Sequence, residues 1–379
     1  MMRGMDPTPA PALKDGFAQA TVDWTARTVA AAHPGFDTTR FRKIVRDGFD
    51  DLSLMARVRR VAEALAATLP ADFAPAHALV ERALGEPPEE WVEGEGISAF
   101  RLAPFLEWVS IAGLATPALA LPALASLTRH FTAEFAIRPF LADHLDLTFE
   151  HVTRWVTDGD ARVRRLASEG TRPLLPWGRH VAALKQHPER ALALIEPLAA
   201  DACEVVRRSA ANHLNDVSRL DPDLALAHAA RWARGHGEAG RGAVRHAVRT
   251  LVKTGHPQAL KLLGFDVHAT VGLRRLRLSA RAVPIGGDLE LTADLHAEGD
   301  APVTACVDFA VRYASARGAE RWKVFKGTTV TIAPGETCPV RFRRDFMPRT
   351  TRVLYPGPHA VQVRVNGVTV GEKAFELVA

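Results

Sequence analysis

The sequence predicts a mainly α-helical chain that ends in a small all-β domain. Three observations predict this class: helix-forming residues dominate until about Leu263, a helical motif recurs within that part, and Val, Thr, Gly and Pro become more frequent after it. At 379 residues, the chain has room for two or three domain-sized units. Its composition, 47% hydrophobic and 24% charged, is ordinary for a globular protein.

The recurring motif is a segment of the type Val-Arg-Arg that belongs to one helix of a pair. It begins at Val163, returns 43 residues later at Val206 and returns 38 residues after that at Val244. A second helix-like run precedes each copy, over 149–157, 191–199 and 223–234. Helix pairs at this interval are typical of HEAT and armadillo arrays, which stack and leave a concave surface. We therefore predict a HEAT-like helical repeat solenoid over residues 1–264.

The last part of the chain, residues 265–379, has the alternating pattern of β-strands. Apolar and polar residues alternate over three runs, 289–295, 303–312 and 359–365. Asn366-Gly367 is a strong hairpin signal because both residues tolerate a left-handed backbone. Six or seven short strands over about 115 residues predict a small all-β immunoglobulin-like sandwich.

Charge is unevenly distributed along the chain. Lysine and arginine number 13 against 16 acidic residues over 1–129, 19 against 15 over 130–264, and 16 against 12 over 265–379. The basic excess therefore lies in the last two-thirds, where a polyanion could be held. In the last third, alternation over Val340-Arg341-Phe342-Arg343 places Arg341 and Arg343 on one strand face. With Arg344, Arg349 and Arg352 close by, this face predicts a second contact with that polyanion, and a solvated edge strand is the alternative.

Several classes of protein are not expected from this sequence. Three cysteines, Cys203, Cys306 and Cys338, have no metal-like spacing and predict free thiols in a reducing cytoplasm. We find neither an apolar leader at the N-terminus nor an uncharged apolar run of 18 residues, so we expect no membrane span. The 15 histidines lack the spacing of an HExxH motif, and there is no Walker loop or nucleophile elbow. We therefore expect neither a metal nor a cofactor. We also expect the protein to be a monomer.

Three segments stand out from the repeat pattern: EFAIRPF over 134–140, RRLASEGTRPLLPW over 164–177, and ANHLNDVS over 211–218. They closely resemble the AlkC-type bacterial DNA alkylation repair glycosylases. The resemblance runs through the helical part and is densest between Glu134 and Ser218. Members of this family carry HEAT-like repeats, and one branch adds a C-terminal immunoglobulin-like domain, which the β-rich tail resembles.

The resemblance implies an activity and a set of site residues. The family hydrolyses the N-glycosidic bond of cationic methylated bases in duplex DNA, chiefly 3-methyladenine and 3-methylcytosine, as the first step of base excision repair. Its acidic motif positions match Glu134, Glu169 and Asp216, which are the expected catalytic residues. The implied partner is double-stranded DNA that contains alkylated bases. The alternative function is a non-enzymatic HEAT-repeat scaffold that binds nucleic acid or protein.

The residues support this assignment independently in part. An offset of 43 places Glu169 opposite Asn212, and Asp216 lies four residues further on the same helix face. Both acids then lie near helix C-termini, where anions are disfavoured and neighbouring carboxylates repel. A cationic base would reverse this effect, and the carboxylates could stabilise the positive sugar as the bond breaks. We therefore expect that neutralising either acid maintains or slightly improves stability.

Each candidate also has a structural interpretation. Glu169 could be a solvated helix end, Asp216 a cap for the next segment, and Glu134 a first-turn acid. Trp177 could close a core or face the sugar or base. The flanking residues Arg138, Arg165 and Arg172 could be solvated or could hold phosphates, so the expected DNA-binding set is these three arginines with Trp177.

Two further expectations concern residues outside this set. Asn212 and His213 are better explained as core hydrogen bonders than as ligands. Lys185, Lys253 and Lys261 lie in unremarkable helices, so no lysine is a candidate for Schiff-base chemistry. We therefore expect a monofunctional hydrolase that leaves an abasic site.

Overall fold

The computed structural model describes residues 13–89, 96–235, 237–266, 270–314, 321–349 and 353–379. The chain divides into two compact units, and the division falls between Ala247 and Val248. Two short helices after that point group with the β-sheets, whereas the sequence predicted a boundary after Gly264. Composition could not locate the division, because helix-forming residues continue through Leu262. Arg352, one of the arginines predicted near the second DNA contact, lies outside the described residues.

The helical unit consists of consecutive helices joined by short connections. Short 3₁₀ segments cover Leu13–Gly16, Phe49–Asp51, Gly96–Leu102 and Glu196–Ala200. The α-helices of the described chain are α1 (Gln19–Ala32), α2 (Thr38–Arg46), α3 (Leu54–Thr68), α4 (Phe73–Leu84), α5 (Ala103–Ala112), α6 (Pro117–Leu127), α7 (Arg138–Asp143), α8 (Leu145–Trp155), α9 (Ala161–Gly170), α10 (Ala182–Gln186), α11 (Pro188–Ile195), α12 (Glu204–Val217), α13 (Pro222–Gly235), α14 (Gly237–Ala247), α15 (Arg249–Lys253) and α16 (Pro257–Leu262). None of these helices is long and apolar enough to cross a membrane.

The predicted helix pairs are confirmed as α8 with α9, α11 with α12 and α13 with α14. The valine that opens each motif copy is buried: Val163, Val206 and Val244 are all at most 1% exposed. The arginine that follows it has a repeated structural task. Arg164 Nη1 donates to the carbonyls of Asp158 and Gly159, and Arg207 Nη1 donates to those of Asp201 and Ala202. In each case the guanidinium holds the turn that leads into its own helix.

The β-sheets of the second unit share one core. The strands of the described chain are β1 (Val271–Leu278), β2 (Ala282–Pro284), β3 (Asp288–Ala297), β4 (Val303–Tyr313), β5 (Arg321–Ile332), β6 (Thr337–Asp345), β7 (Gly357–Val365) and β8 (Val368–Val378). One sheet has the order β1-β3-β6, and the other has the order β2-β8-β7-β4-β5. Inward residues of both sheets, such as Leu291 and Phe342 from one and Val307 and Val363 from the other, form a single apolar cluster. This arrangement is the predicted sandwich.

The predicted hairpin is present between β7 and β8. Asn366 and Gly367 have φ values of 49° and 81°, as a type I′ turn requires. Gly367 also lies against Gly255 in the short connection between α15 and α16, and a Cβ at Gly367 would lie 2.2 Å from the Gly255 Cα. This close approach explains why α15 and α16 belong to the β-containing unit.

Candidate active site

The two predicted carboxylates of the repeat lie at the same edge of neighbouring helices. Glu169 is in the last turn of α9 and Asp216 is in the last turn of α12, and these helices pack against each other. Glu169 is 5% exposed and Asp216 is 3% exposed. The predicted placement near helix C-termini is therefore confirmed, whereas the interpretation of Glu169 as a solvated helix end is wrong.

Arg172 lies between these two carboxylates. Its Nη1 is 2.6 Å from Glu169 Oε1, and its Nε and Nη2 are 2.9 and 3.1 Å from Asp216 Oδ2 and Oδ1. Burial lowers the pKa of Arg172, but the hydrogen bonds and charges of the two acids outweigh this effect and raise it. The expected repulsion between the acids is thus offset by a guanidinium of the chain itself, which repeat spacing did not reveal.

Glu134 joins the same cluster through Arg165. It lies in the turn before α7, and its Oε2 is 2.8 Å from Arg165 Nη2. Arg165 Nη2 is also 3.8 Å from Glu169 Oε2, and Thr132 Oγ1 donates to Glu134 Oε2 at 2.7 Å. At 9% exposed, Glu134 is buried with the other two carboxylates. The sequence alone could not place Glu134 here, since no repeat spacing connects it to the other acids.

Two serines that the sequence did not single out support Glu169. Ser209 Oγ donates to Glu169 Oε2 at 2.6 Å, and Ser168 Oγ lies 2.7 Å from Ser209 Oγ. Burial raises the pKa of Glu169, but Arg165, Arg172 and the Ser209 hydrogen bond together lower it below its usual value. Glu169 is therefore an ionised buried carboxylate. The repeat offset of 43 residues placed Asn212 opposite Glu169. The residue of α12 that bonds to Glu169 is instead Ser209, three residues earlier.

His213 is buried next to these serines. Its Nδ1 is 3.0 Å from the Ser168 carbonyl oxygen, so Nδ1 carries the proton. The side chain is fully buried, and this burial lowers the pKa of His213 to about 4. At neutral pH the ring is uncharged and hydrogen-bonded to the backbone, which confirms the expected core role.

Arg138 has a different task from the one expected. It is 1% exposed, and its guanidinium donates to the carbonyls of Gly170, Arg172 and Arg179 at 2.7–2.9 Å. Burial lowers the pKa of Arg138 to about 10. The geometry does not support a phosphate contact by Arg138, because the guanidinium is enclosed and already bonded. Instead, Arg138 joins both ends of the loop that carries Trp177.

Trp177 is exposed at the tip of that loop. Its side chain is 63% exposed, so the interpretation that it closes a core is wrong. Its φ of 62° lies in the left-handed region, which is unusual for a bulky residue and is kept only when the surroundings impose it. The loop is thus built to present an indole outward.

An open cleft of about 630 Å³ borders the acidic cluster on the side of Arg165 and Thr132. Its wall combines small, apolar and polar residues with basic and aromatic side chains, among them Trp24, Arg101, Arg129, Phe131 and Arg162. Within the described residues, no group of three or more histidines, cysteines and acids is placed to hold a metal ion. In the cluster itself, three carboxylates face the guanidiniums of Arg165 and Arg172, and the buried guanidinium of Arg138 also acts on Asp216.

Comparison with known proteins agrees with this architecture. A family model described as "Uncharacterised protein YhaZ, C-terminal Ig-like domain" matches residues 272–379. YhaZ of Bacillus subtilis (strain 168) is 33% identical over 366 residues, which are 96% of this chain and 99% of YhaZ. The solved structure of the Pseudomonas fluorescens alkylpurine DNA glycosylase AlkC, bound to DNA containing an abasic site analog, has a TM-score of 0.88 at 33% identity. That similarity covers 97% of this chain and 100% of that one.

The fold and the site define a helical protein with a buried acidic cluster and a C-terminal immunoglobulin-like domain. The chain belongs to the family that includes YhaZ and AlkC, since a relative at 33% identity spans almost its entire length. The resemblance predicted from the sequence motifs is therefore confirmed, and so is the immunoglobulin-like class of the C-terminal sheets.

Proposed function

We propose that this protein is a monofunctional DNA glycosylase that removes cationic alkylated bases from duplex DNA. The observation that carries the proposal is the cluster of three buried carboxylates, Glu134, Glu169 and Asp216, at one edge of α9 and α12. The similarity of the whole chain to AlkC, a glycosylase whose structure was solved with bound DNA, supports the same assignment. The helical unit would act as a HEAT-like solenoid and the protein as a monomer.

The chemistry follows from the buried, preorganised carboxylates of the cluster. A base carries positive charge when a pyridine-type ring nitrogen is methylated, because the lone pair of that nitrogen forms the new N–CH3 bond. The sugar also becomes positive as the C1′–N bond breaks. Preorganised carboxylates stabilise that charge more in the transition state than in the ground state. The bond's electron pair neutralises the departing base, so no general acid is needed, in contrast to ordinary glycosidases. Water adds to C1′ and loses its proton to a carboxylate or to solvent.

Arg172 sets the resting state of the site. It prevents the repulsion of Glu169 and Asp216 and fixes both carboxylates before any ligand arrives. A cationic centre that approaches the cluster would then meet two carboxylates that are already fixed in place rather than a bare acid pair. This function replaces the expected phosphate contact for Arg172, because three of its nitrogens already donate to the two acids.

DNA contacts are proposed for more accessible residues. Trp177 is exposed at the tip of the loop that begins near Arg172, and Arg165 lines the open cleft. In the β-containing unit, Arg341 and Arg343 are exposed on one face of β6, as the alternation predicted. Arg341 is level with Arg277 across β3, and this pair forms a basic row that suits a phosphate backbone. Arg343 is level with Glu290 and pairs with Asp288 at 2.6 Å.

The substrates we propose are 3-methyladenine and 3-methylcytosine, both cationic. A lyase step is not proposed. Lys185 lies in α10, and Lys253 and Lys261 lie in α15 and α16 of the other compact unit. A scaffold function is the less favoured alternative, because a binding array has no need for three buried carboxylates at one helix edge.

The test is base release from methylated duplex DNA. The parent protein is incubated with duplex DNA treated with a methylating agent, and released bases are separated by chromatography. We expect free 3-methyladenine or 3-methylcytosine together with abasic sites and no strand cleavage. Binding to the same DNA without base release would support the scaffold instead, and strand cleavage at the abasic site would contradict a monofunctional enzyme.

A further inference from the structure

Ser168 and Ser209 form a directional hydrogen-bond chain that ends at Glu169. Ser209 is 2% exposed, and its Oγ lies 2.6 Å from Glu169 Oε2. An ionised carboxylate only accepts, so the single hydroxyl proton of Ser209 points at Glu169. The Ser168 hydroxyl has one proton and two acceptors within reach, Ser209 Oγ at 2.7 Å and the Arg165 carbonyl oxygen at 3.1 Å. When the proton lies in the shorter of these contacts, the chain runs from Ser168 to Ser209 to Glu169, from α9 to α12 and back.

The two oxygens of Glu169 are held by different partners. Oε1 accepts from Arg172 at 2.6 Å, on the side of Asp216. Oε2 accepts from Ser209, whereas Arg165 Nη2 is 3.8 Å away and is too far for a hydrogen bond. Arg172 and Ser209 therefore fix the rotation of the carboxylate about its last bond together, one at each oxygen. Without Ser209, Oε2 would have only the more distant charge of Arg165 beside it, and its direction would be less defined.

We infer that Ser209 is a positioning residue for Glu169. Its hydroxyl, oriented by Ser168, fixes the direction of Oε2 and helps to keep the buried carboxylate ionised. The inference rests on the proposed function, because it assigns Ser209 to the site that would perform base release. It adds a residue on α12 that takes no part in the acidic motif itself. A serine that merely fills space between two helices would have no effect on the ionisation of Glu169.

The pKa of Glu169 depends on the charged and titratable groups around it. Arg165 lies on its own helix, and Arg172 lies in the turn that follows. Asp216 and His213 face it from α12, and Glu134 faces it from the turn before α7. The arginines stay charged, and His213 stays neutral above about pH 4 because burial lowers its pKa. The loss of one hydrogen bond to a charged group changes the pKa of that group by about one unit. The loss of Ser209 Oγ should therefore be visible in the titration of Glu169.

The first experiment compares Ser209→Ala with the parent by carbon NMR of the glutamate side-chain carboxyls, with Glu169→Gln used for assignment. We expect the pKa of the Glu169 carboxyl to rise by about one unit in Ser209→Ala. Ser168→Ala should give a smaller rise, because Ser209 Oγ still donates after its own donor is lost. Ser209→Thr, which keeps the hydroxyl, should restore the parent value.

The matched control is Ser110→Ala in α5. Ser110 is also buried, and its hydroxyl donates to a backbone carbonyl, that of Glu107, at 2.7 Å. This variant should leave the Glu169 titration unchanged, so it separates positioning from the general loss of a buried serine hydroxyl. An unchanged Glu169 titration in a folded Ser209→Ala would overturn the inference.

The second experiment follows base release against pH under single-turnover conditions. The acid limb of the rate should move to higher pH by about one unit in Ser209→Ala, and the loss should shrink as pH rises. A uniform loss at every pH, which Ser209→Thr does not restore, would contradict positioning. Failure of the two proposals is distinguishable: a parent that releases no base refutes the proposed function, whereas the NMR titration still decides the role of Ser209.

Discussion

The interface of α9 with α12 and the interface of α12 with α14 are built from copies of one motif, yet they differ in the polar groups that join the helices. In the first, Glu169 is buried and bonded to Arg172 and Ser209. In the second, the position 43 residues later is Asn212, whose Oδ1 lies 2.8 Å from His246 Nε2. An amide and an imidazole suffice to join the helices there. The fold therefore does not require a buried carboxylate at this position, and the ionic cluster belongs to one site on a repeated framework.

The third residue of the motif shows the same contrast. Arg165 has a side chain that is 19% exposed and pairs with the buried Glu134. Its counterpart Arg208 has a side chain that is 65% exposed and pairs with Glu204 one turn earlier on its own helix. Such a surface pair contributes little to stability, whereas the buried pair constrains both partners. Substitutions at the first interface should therefore affect function, and those at the second should not.

The largest effect is expected at the acid of the first interface. Glu169→Gln should slow single-turnover base release by roughly 10²–10³-fold, because one preorganised charge is lost. Asn212→Ala, at the matching position of the second interface, should change the rate less than about tenfold. Comparable losses for both would show that the helix array, rather than the acidic cluster, limits base release.

Stability is where the sequence and the structure lead to different expectations. The sequence suggested that neutralising Glu169 would maintain or improve stability. The structure indicates the opposite, since Glu169→Gln leaves the buried Arg172 with one charged partner fewer, at a cost of roughly 2 kcal/mol. Denaturant unfolding measures this difference, and an unchanged midpoint would favour the expectation from the sequence.

Arg138→Met should also destabilise the helical unit. The change removes the donors for three carbonyls and the connection between the ends of the loop, at a cost of roughly 3 kcal/mol. If the loop serves to present Trp177, the rate losses of Arg138→Met and Trp177→Ala should be less than additive. Fully additive losses in the folded double variant would show that the two residues act separately.

Acid should weaken the protein through His213. Its folded pKa of about 4 lies below the usual 6.5, so the unfolded chain takes up the proton first. The contribution is complete above pH 6.5 and is lost as pH falls towards 4, by about 3 kcal/mol in all. Urea unfolding across this range measures it, and His213→Gln should show a correspondingly flatter dependence. Equal slopes for both proteins would exclude His213 as the cause.

The matched arginines of the motif give a smaller functional contrast. Arg165→Gln should slow base release by roughly tenfold or more, because Glu134 and Glu169 both lose a neighbouring positive charge. Arg208→Gln should change stability by less than about 0.5 kcal/mol, as expected for an exposed pair. Rates and unfolding midpoints measured side by side test whether burial distinguishes the two positions.

The smallest effect is expected in the β-containing unit. Arg341→Gln combined with Arg343→Gln should reduce the salt dependence of DNA affinity by about 0.9 in log–log slope for each phosphate that is no longer neutralised. Folding should be little affected, since both side chains are exposed. An unchanged slope and affinity would remove this face of β6 from DNA binding and leave a charged edge as its explanation.

The sequence predicted the parts of the fold that follow from periodicity. The three helix pairs, the Asn366-Gly367 hairpin and the inward alternation of β6 are all present. The unit boundary was not predictable, because it depends on the packing of Gly255 against Gly367, which are far apart in the sequence. Composition changes only after α16.

The sequence predicted that the three acids lie close together, but not how they are connected. Repeat spacing brought Glu169 and Asp216 together, and the family resemblance added Glu134. No spacing rule shows that Arg172 reaches both carboxylates, or that Arg138 turns inward to three carbonyls. Arginine in a polar segment is usually solvated, so burial of both guanidiniums appears only once the helices are packed.

The most direct test of the central claim is single-turnover release of methylated bases by the parent and by Asp216→Asn, under conditions where both are fully folded. The claim is that the buried acids serve chemistry in addition to their ion pairs within the fold. It predicts that the parent releases cationic bases and that Asp216→Asn does so roughly 10²–10³ times more slowly while binding the same DNA. Equal rates for the two folded proteins, or a loss that merely follows the unfolded fraction, would contradict it.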